Sequence, residues 1–269
     1  MLILNSDQVK QALPMAQAIE AMKAAYAALS QGQAHVPLRS HLEISSRKAV
    51  NLYMPAHLLS PDGEEALVVK VVGVYPENPK SALPVIHASV LVSDAQTGRP
   101  LALLEGGSLT AIRTGAGAGA ATDLLARPDS HTAAIFGAGI QARTQLEAVC
   151  TVRPIERVWI YDPIPEKIEI MIQELSGVGP IPNDIRAASN PGSAVGDADI
   201  ICTATTSLTP VFADADLKEG THINAVGAFT PEMAEVPPAS VARSRVYIDS
   251  HQASAAEAGD LIQAAAAGL

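Results

Sequence analysis

Cysteine, aromatic residues and positive charge are all scarce in this chain of 269 residues. Its two cysteines, Cys150 and Cys202, predict no disulfide framework and favour a reducing compartment. Aromatic residues make up 3% of the chain, too few for base-stacking platforms. Lys and Arg number 18 against 28 Asp and Glu, and this net charge of −10 argues against a general nucleic-acid binder.

Long apolar runs and targeting signals are missing as well. No stretch approaches the ~18 consecutive apolar residues of a membrane span. The first 26 residues carry Asp7, Lys10, Glu20 and Lys23 where a secretory signal has an uncharged core. The seven histidines show no metal-ligand spacing. We therefore expect a cytoplasmic protein without a metal site and without a membrane or nucleic-acid partner.

Hydrophobic residues form 48% of the chain, enough for a substantial core, and the length favours two lobes. In the first lobe, apolar spacing predicts a helix over Ser6–Leu29. Residues 35–105 favour antiparallel strands at Val68–Val74, Val85–Ser93 and Pro100–Glu105, and a small-residue helix is expected over 108–126. Three alternating glycines in that helix indicate close approach of a backbone or ligand, or else a flexible hinge.

From Asp129 onward, apolar strands alternate with helices, a pattern typical of a parallel sheet with right-handed crossovers. The predicted fold class is α/β, a Rossmann-type doubly wound parallel sheet plus an α+β lobe. The domains are expected at 1–115 and 116–254, and the tail, 255–269, could return to the first lobe. The five predicted strands are His131–Phe136, Arg157–Tyr161, Ala198–Thr203, His222–Val226 and Arg245–Ile248, and two predicted helices are Gln141–Val152 and Pro165–Leu175.

A glycine-rich turn is the most informative short motif. It follows a strand, opens a helix and has the G-x-G-x-x-A form that seats a pyrophosphate on a helix N-terminus. Its residues are Gly137, Ala138, Gly139, Ile140, Gln141 and Ala142. Asp162 lies 25 positions after Gly137, where a carboxylate can bind a ribose hydroxyl. This favours NAD(H), with NADP(H) as the alternative; the other interpretation is a turn without nucleotide in which Asp162 caps a helix.

Two further segments are expected to line the cofactor because they follow strands of the predicted parallel sheet. They are Thr203, Ala204 and Thr205 after one strand, and Val226 and Gly227 after the next.

Three basic residues of the first lobe indicate an anionic substrate. Lys70 interrupts an apolar strand, Arg39 follows Val36-Pro-Leu, and Arg113 lies just before the glycine-rich stretch. A charge directed inward from a strand is costly unless it meets an anion, and Arg matches a carboxylate in bidentate fashion. Individually, each of the three could instead be a surface charge or a salt-bridge partner.

The sequence resembles the ornithine cyclodeaminase/μ-crystallin family. That family includes ornithine and lysine cyclodeaminases, an alanine dehydrogenase branch and reductases of cyclic ketimines. The matching stretches span most of the chain: Asn51-Leu-Tyr-Met-Pro, Val69-Lys-Val-Val-Gly-Val-Tyr-Pro-Glu-Asn, Leu109-Thr-Ala-Ile-Arg-Thr-Gly-Ala, Ile135-Phe-Gly-Ala-Gly-Ile-Gln-Ala and Asn224-Ala-Val-Gly-Ala.

The resemblance implies a homodimer formed through the first lobe and a small carboxylate substrate. It implies that Arg39, Lys70 and Arg113 bind the substrate carboxylate, with Lys70 and Arg113 as the catalytic pair. It adds Met54 as a substrate contact and Thr114 as a cofactor contact.

One departure from the family pattern concerns the reaction. Cyclodeaminases carry an Asp after the Val-Gly-x segment, whereas this chain has Phe229 there. An apolar Phe229 beside the ring suits reduction of a preformed cyclic imine, which needs orientation and electrostatics more than water activation. We therefore expect an NAD(P)H-dependent ketimine reductase acting on Δ1-pyrroline-2-carboxylate or Δ1-piperideine-2-carboxylate, giving L-proline or L-pipecolate, with Lys70 as a proton relay.

Other functions remain open from the sequence. Glu232 or Glu235 could substitute for the missing Asp, which retains an ornithine cyclodeaminase or alanine dehydrogenase-type activity. A protein that binds NAD(P) and a small ligand without turnover is the alternative from another class. Family members also continue past the Gly259-Asp260-Leu261 segment and return to the first lobe, whereas this chain stops at Leu269. Either the chain is naturally short or the sequence is a truncated form, and a shortened chain could leave the first lobe incomplete and its activity impaired.

Overall fold

The computed structural model describes residues 1–59, 63, 65–81 and 83–269, and it divides the chain into two units, Met1–Arg113 and Thr114–Leu269. The division falls two residues before the predicted boundary at residue 115. The tail 255–269 lies in the second unit.

The first unit is built on a mixed seven-stranded sheet. Its strands are β1 (Leu2–Leu4), β2 (Ala34–His35), β3 (Ser40–Ile44), β4 (Ala49–Leu59), β5 (Glu65–Val74), β6 (Ile86–Ser93) and β7 (Pro100–Glu105). The order is β1-β7-β6-β5-β4-β2, with β3 also paired to β4. The β5, β6 and β7 strands confirm the predicted antiparallel strands. In this register Lys70 on β5 lies opposite Met54 on β4 and Val90 on β6.

The predicted N-terminal helix is interrupted in the structure. It forms α1 (Ser6–Ala12) and α2 (Met15–Ser30), with Pro14 as the N-cap of the second helix. Proline cannot donate the backbone hydrogen bond that a continuous helix needs at this point, and its ring clashes with the preceding turn. The Asn5 side chain caps the first helix by accepting from the Gln8 N–H.

A single helix, α3 (Gly106–Leu125), runs across the division between the units. One of its glycines has a packing reason within the second unit: a Cβ at Gly115 would lie 2.5 Å from the carbonyl oxygen of Thr144. Backbone approach is therefore the cause of glycine at this position. The helix is continuous through Gly115.

The second unit contains a five-stranded parallel sheet in the order β10-β9-β8-β11-β12. Its strands are β8 (Thr132–Phe136), β9 (Arg157–Tyr161), β10 (Asp184–Ala187), β11 (Ile200–Thr203) and β12 (His222–Ala225). Its further helices are α4 (Ile140–Val152), α5 (Pro165–Leu175), α6 (Pro191–Val195), α7 (Pro238–Ala242), α8 (His251–Glu257) and α9 (Gly259–Ala266).

Apolar side chains cover both faces of this sheet. One cluster joins Ile135 and Ile160 of the sheet to Leu146 of α4 and Met171 of α5, and another gathers around Phe136 and Phe212. Each fully buried aliphatic or aromatic side chain contributes about 1.5–3 kcal/mol. The doubly wound α/β fold predicted from the sequence is confirmed.

One predicted strand is wrong and another was missed. Arg245–Ile248 has the apolar and aromatic pattern of a strand, but within the described residues it pairs with no strand, and its side chains are exposed. The fifth strand is instead β10, which pairs with β9. It has only four residues, of which Ile185 alone is buried, so periodicity gave no signal for it.

Candidate functional site

The glycine-rich turn directly follows β8 in the second unit. Gly137 has φ +96°, a left-handed conformation that favours glycine, and a Cβ there would lie 2.6 Å from the Ala204 carbonyl oxygen. The Gly137 N–H donates to the Tyr161 carbonyl at 2.8 Å. Glycine at this position is therefore required by the protein itself.

Gly139 is glycine for a different reason. Its φ of −83° is ordinary, and a Cβ placed on it would meet nothing within 4 Å. It is the N-cap of α4 and supplies no side-chain cap, so the first N–H groups of that helix have no carbonyl partner within it. Open space in front of uncapped N–H groups fits a phosphate.

Three further residues of the turn are Ile140, Gln141 and Ala142. Ala142 is fully buried, which allows α4 to pack closely on the sheet, whereas Ile140 is exposed. The Oε1 atom of Gln141 is buried and has no hydrogen-bond partner among the described residues. These features agree with the predicted dinucleotide turn.

Asp162, at the end of β9, is tied to the same turn. Its Oδ2 accepts from the Ala138 N–H at 2.9 Å, and its Oδ1 accepts from the Ile164 N–H at 2.9 Å. The carboxylate thus holds the turn and also caps the approach to α5. Because each carboxylate oxygen can accept two hydrogen bonds, both keep capacity for a ribose hydroxyl. Asp162 therefore fits both interpretations made from the sequence.

Glu235, one of the two residues that could substitute for the missing Asp, organises the ends of β11 and β12. Glu235 is fully buried. Its Oε1 accepts from the Thr205 N–H at 2.6 Å and the Thr205 hydroxyl at 2.7 Å. Its Oε2 accepts from the Thr203 hydroxyl at 2.9 Å and the Gly227 N–H at 2.6 Å. A Cβ on Gly227 would collide with this carboxylate and with the Thr205 carbonyl.

These bonds use the whole acceptor capacity of Glu235, since a carboxylate offers about four lone-pair sites. Burial raises the pKa of the Glu235 carboxyl, and the hydrogen bonds from Thr205, Thr203 and Gly227 oppose that rise. Glu235 therefore has no acceptor left for a substrate ammonium. Its only sequence signal is a charged residue within the apolar run Met233–Val236.

The remaining predicted cofactor residues occupy three environments. Thr203 is fully buried with its hydroxyl directed at Glu235, while Ala204 and Val226 are half-buried at the strand ends. Thr114 is half-buried on α3, and its carbonyl accepts from the Gln145 amide at 3.2 Å. Phe229, predicted as a substrate contact, is 62% exposed in the loop after β12.

The first unit carries the three predicted cations. Lys70 is half-buried on β5, and its pKa is lowered from 10.5 to about 8 by burial and by the positive charges of Arg113 and Arg39. Arg113 is exposed, whereas Arg39 is half-buried. The structure therefore brings Arg113 and Arg39 into electrostatic range of Lys70, and these three residues are defined here as the cationic cluster. Met54 lies opposite Lys70 and is also half-buried.

Two classes of site find no support in the described part of the chain. No group of three or more His, Cys, Asp or Glu side chains there could hold a metal ion. Within the same residues, no helix is long and apolar enough to cross a membrane.

A model of the "Ornithine cyclodeaminase/mu-crystallin family" matches residues 1–268. The chain is 40% identical over 262 residues to a Delta(1)-pyrroline-2-carboxylate reductase of Bacillus cereus, covering 97% of this chain and 79% of the relative.

Solved structures are similar over the whole chain. The Delta(1)-pyrroline-2-carboxylate reductase of Thermococcus litoralis, in complex with NADH and L-proline, has a TM-score of 0.90 and 41% identity; the match covers 100% of this chain and 81% of that one. An archaeal alanine dehydrogenase dimer with bound NAD has a TM-score of 0.88 and 28% identity, with 100% and 80% covered.

Proposed function

The chain belongs to the ornithine cyclodeaminase/mu-crystallin family, and from that premise we propose that it is an NAD(P)H-dependent imine reductase that converts Δ1-pyrroline-2-carboxylate to L-proline. The observation that carries the proposal is the cationic cluster. Among the described residues, Lys70 has no hydrogen bond or ion pair, and two guanidinium groups act on it. Such a site favours a bound carboxylate, which would offset the mutual repulsion of the cations.

The cluster can perform the part of the reaction that falls to the protein. Arg113 and Arg39 hold the carboxylate and fix the orientation of the ring. Lys70, with a pKa of about 8, can give a proton to the imine nitrogen. A reduced nicotinamide, when bound, supplies the hydride that the imine carbon receives. The C=N double bond thus becomes a single bond, and the product is a secondary amine.

Cyclodeamination is disfavoured at all three positions that bear on it, Phe229, Glu232 and Glu235. Phe229 has no carboxylate with which to bind an ammonium group. Glu235 has its acceptor sites filled by protein donors, and Glu232 is exposed at the surface. The departure from the family pattern at Phe229 therefore has no compensating carboxylate at either position proposed from the sequence.

The preferred cofactor, the oligomeric state and a second substrate are proposed from the glycine-rich turn and from the relatives. Asp162 supports NAD(H) over NADP(H), because a carboxylate repels a 2′-phosphate. Relatives of solved structure hold NADH or NAD. A homodimer is proposed on the precedent of the alanine dehydrogenase dimer. The six-membered Δ1-piperideine-2-carboxylate is proposed as a second substrate, since it carries the same carboxylate and imine.

The test follows absorbance at the reduced-nicotinamide band, with NADH and NADPH separately, on Δ1-pyrroline-2-carboxylate. We expect imine-dependent oxidation, faster with NADH, that falls about 100-fold in kcat/KM in Arg113→Ala. Arg99→Ala, at an exposed turn of the same unit, is the matched control and should keep its rate.

Three results would overturn the proposal. Ammonia and proline formed from ornithine, without imine reduction, would indicate a cyclodeaminase. Oxidation of L-alanine coupled to NAD reduction, in place of imine reduction, would indicate an alanine dehydrogenase. Bound cofactor with no turnover of any of these substrates would indicate a binding protein.

A further inference from the structure

Glu235 lies in a chain of hydrogen bonds that begins in the C-terminal segment. Asp260, buried at the start of α9, accepts from the N–H groups of Glu235 and Val236 at 2.7 and 2.9 Å. The Glu235 side chain in turn accepts hydrogen bonds from the N–H groups of Thr205 and Gly227. Asp260 thereby fixes the backbone of Glu235, and Glu235 fixes the backbone at the ends of β11 and β12.

The position of this carboxylate in the sheet relates it to one half of a dinucleotide. The strand order reverses at β8, with β9 and β10 on one side and β11 and β12 on the other. A dinucleotide lies across such a switch point. Asp162, which would bind the adenosine ribose, directly follows β9. The other half of the dinucleotide, with the nicotinamide, therefore belongs beside the ends of β11 and β12.

We propose that Glu235 is a positioning residue that shapes the nicotinamide side of the cofactor pocket by holding the backbone of Thr205 and Gly227. It touches neither substrate nor cofactor, because it is fully buried and its acceptor sites are filled. The inference rests on the proposed use of a nicotinamide cofactor. It predicts that a defect at Glu235 is felt by the nicotinamide half and not by the adenosine half.

Glu235→Gln is a specific perturbation of this arrangement. An amide has one carbonyl oxygen and one NH2 group, so one pair of donors must face the NH2. The Thr203 and Thr205 hydroxyls can rotate to accept from it, but a backbone N–H cannot. In either amide orientation, the Thr205 N–H or the Gly227 N–H loses its acceptor and is repelled. The end of β11 or the segment after β12 must then move.

Thr203→Val gives a milder perturbation of the same carboxylate, because it removes the hydroxyl that helps to orient Oε2 towards the Gly227 N–H but leaves both backbone N–H groups an acceptor. It removes one hydrogen bond to Glu235 from a fully buried position while keeping the shape of the side chain. Glu232→Gln, three residues away and exposed, is the matched control.

The experiment measures dissociation constants for NADH, by its fluorescence, and for adenosine diphosphate, by calorimetry, together with thermal unfolding of each variant. For Glu235→Gln we expect NADH affinity to fall about tenfold, as hydrogen bonds to a carboxylate are lost. Adenosine diphosphate affinity should stay within about twofold, because the adenosine site is separate. Thr203→Val should show the same asymmetry with a smaller loss, and Glu232→Gln should match the parent protein.

Equal losses for both ligands, or unchanged NADH affinity, would overturn the inference. If Glu235→Gln does not fold, Thr203→Val decides by the same criterion. Failure of the proposed function is distinguishable, because it appears as absent imine turnover in the parent protein, whereas the inference is judged only by the binding of NADH and adenosine diphosphate.

Discussion

Replacing Lys70 by methionine should make the protein more stable while abolishing its activity. Methionine keeps the length of the side chain and removes a positive charge that lies half-buried in the field of Arg113 and Arg39. Without an anion the three neighbouring cations repel one another, so a lysine placed here for the proposed reaction should lower the stability of the free protein.

The magnitude follows from the pKa of Lys70. The difference between 10.5 and about 8 corresponds to about 3 kcal/mol of unfavourable interaction with the charged form. Partial exposure and screening reduce this to about 1–2 kcal/mol of added unfolding free energy in Lys70→Met at pH 7 and low salt.

The sign can be checked by pH. Below pH 8 the lysine is charged in both folded and unfolded states, and the full penalty applies. Between pH 8 and 10.5 the folded state releases its proton first, so the parent protein gains stability as pH rises. The advantage of Lys70→Met should therefore shrink as pH rises through that interval.

Urea unfolding followed by circular dichroism, at pH 7 and pH 10, measures the difference. Lys167→Met, at an exposed position on α5, is the control and should change stability by less than about 0.5 kcal/mol at both pH values. The reasoning is refuted if Lys70→Met is less stable than the parent at pH 7, or if its advantage does not depend on pH.

Three other predictions concern the pH profile and the glycines. First, kcat/KM for the imine should fall above pH about 8 as Lys70 loses its proton. Arg39→Gln should move this alkaline limb of the pH profile to higher pH, because a neighbouring positive charge is gone. An alkaline limb that does not move would contradict the electrostatic coupling. Second, Gly139→Ala should change the unfolding free energy by less than about 0.5 kcal/mol yet weaken NADH binding. Gly137→Ala should lower the unfolding free energy by about 2 kcal/mol or more. Equal losses of stability in urea unfolding would refute the distinction. Third, Gly115→Ala should cost about 1–3 kcal/mol by forcing α3 away from Thr144, and an unchanged unfolding midpoint would show that the helices can separate freely.

The sequence could predict the features whose causes are local. Gly137 and Gly139 form part of a short strand–turn–helix motif that is recognisable from neighbouring residues alone. Lys70 is likewise unusual in any apolar strand, whatever its place in the sheet. The break at Pro14 is also a local effect, because it follows from the missing N–H and the ring of that one residue.

Features that depend on distant partners could not be predicted in the same way. Glu235 takes its role from Thr203 and Thr205, about thirty positions earlier in the chain. Arg245–Ile248 satisfies the pattern of a strand, but pairing also requires a neighbour. The short strand β10 has a neighbour but almost no pattern.

The two bonds of Asp162 bear on any attempt to change the cofactor. Redesign toward a 2′-phosphate begins by removing this carboxylate, but here its removal would also release the N–H groups of Ala138 and Ile164. Under the proposed preference for NAD(H), the choice of cofactor and the rigidity of the turn therefore depend on the same side chain. A successful exchange must supply a neutral acceptor, such as serine or asparagine, before any new arginine can be of use.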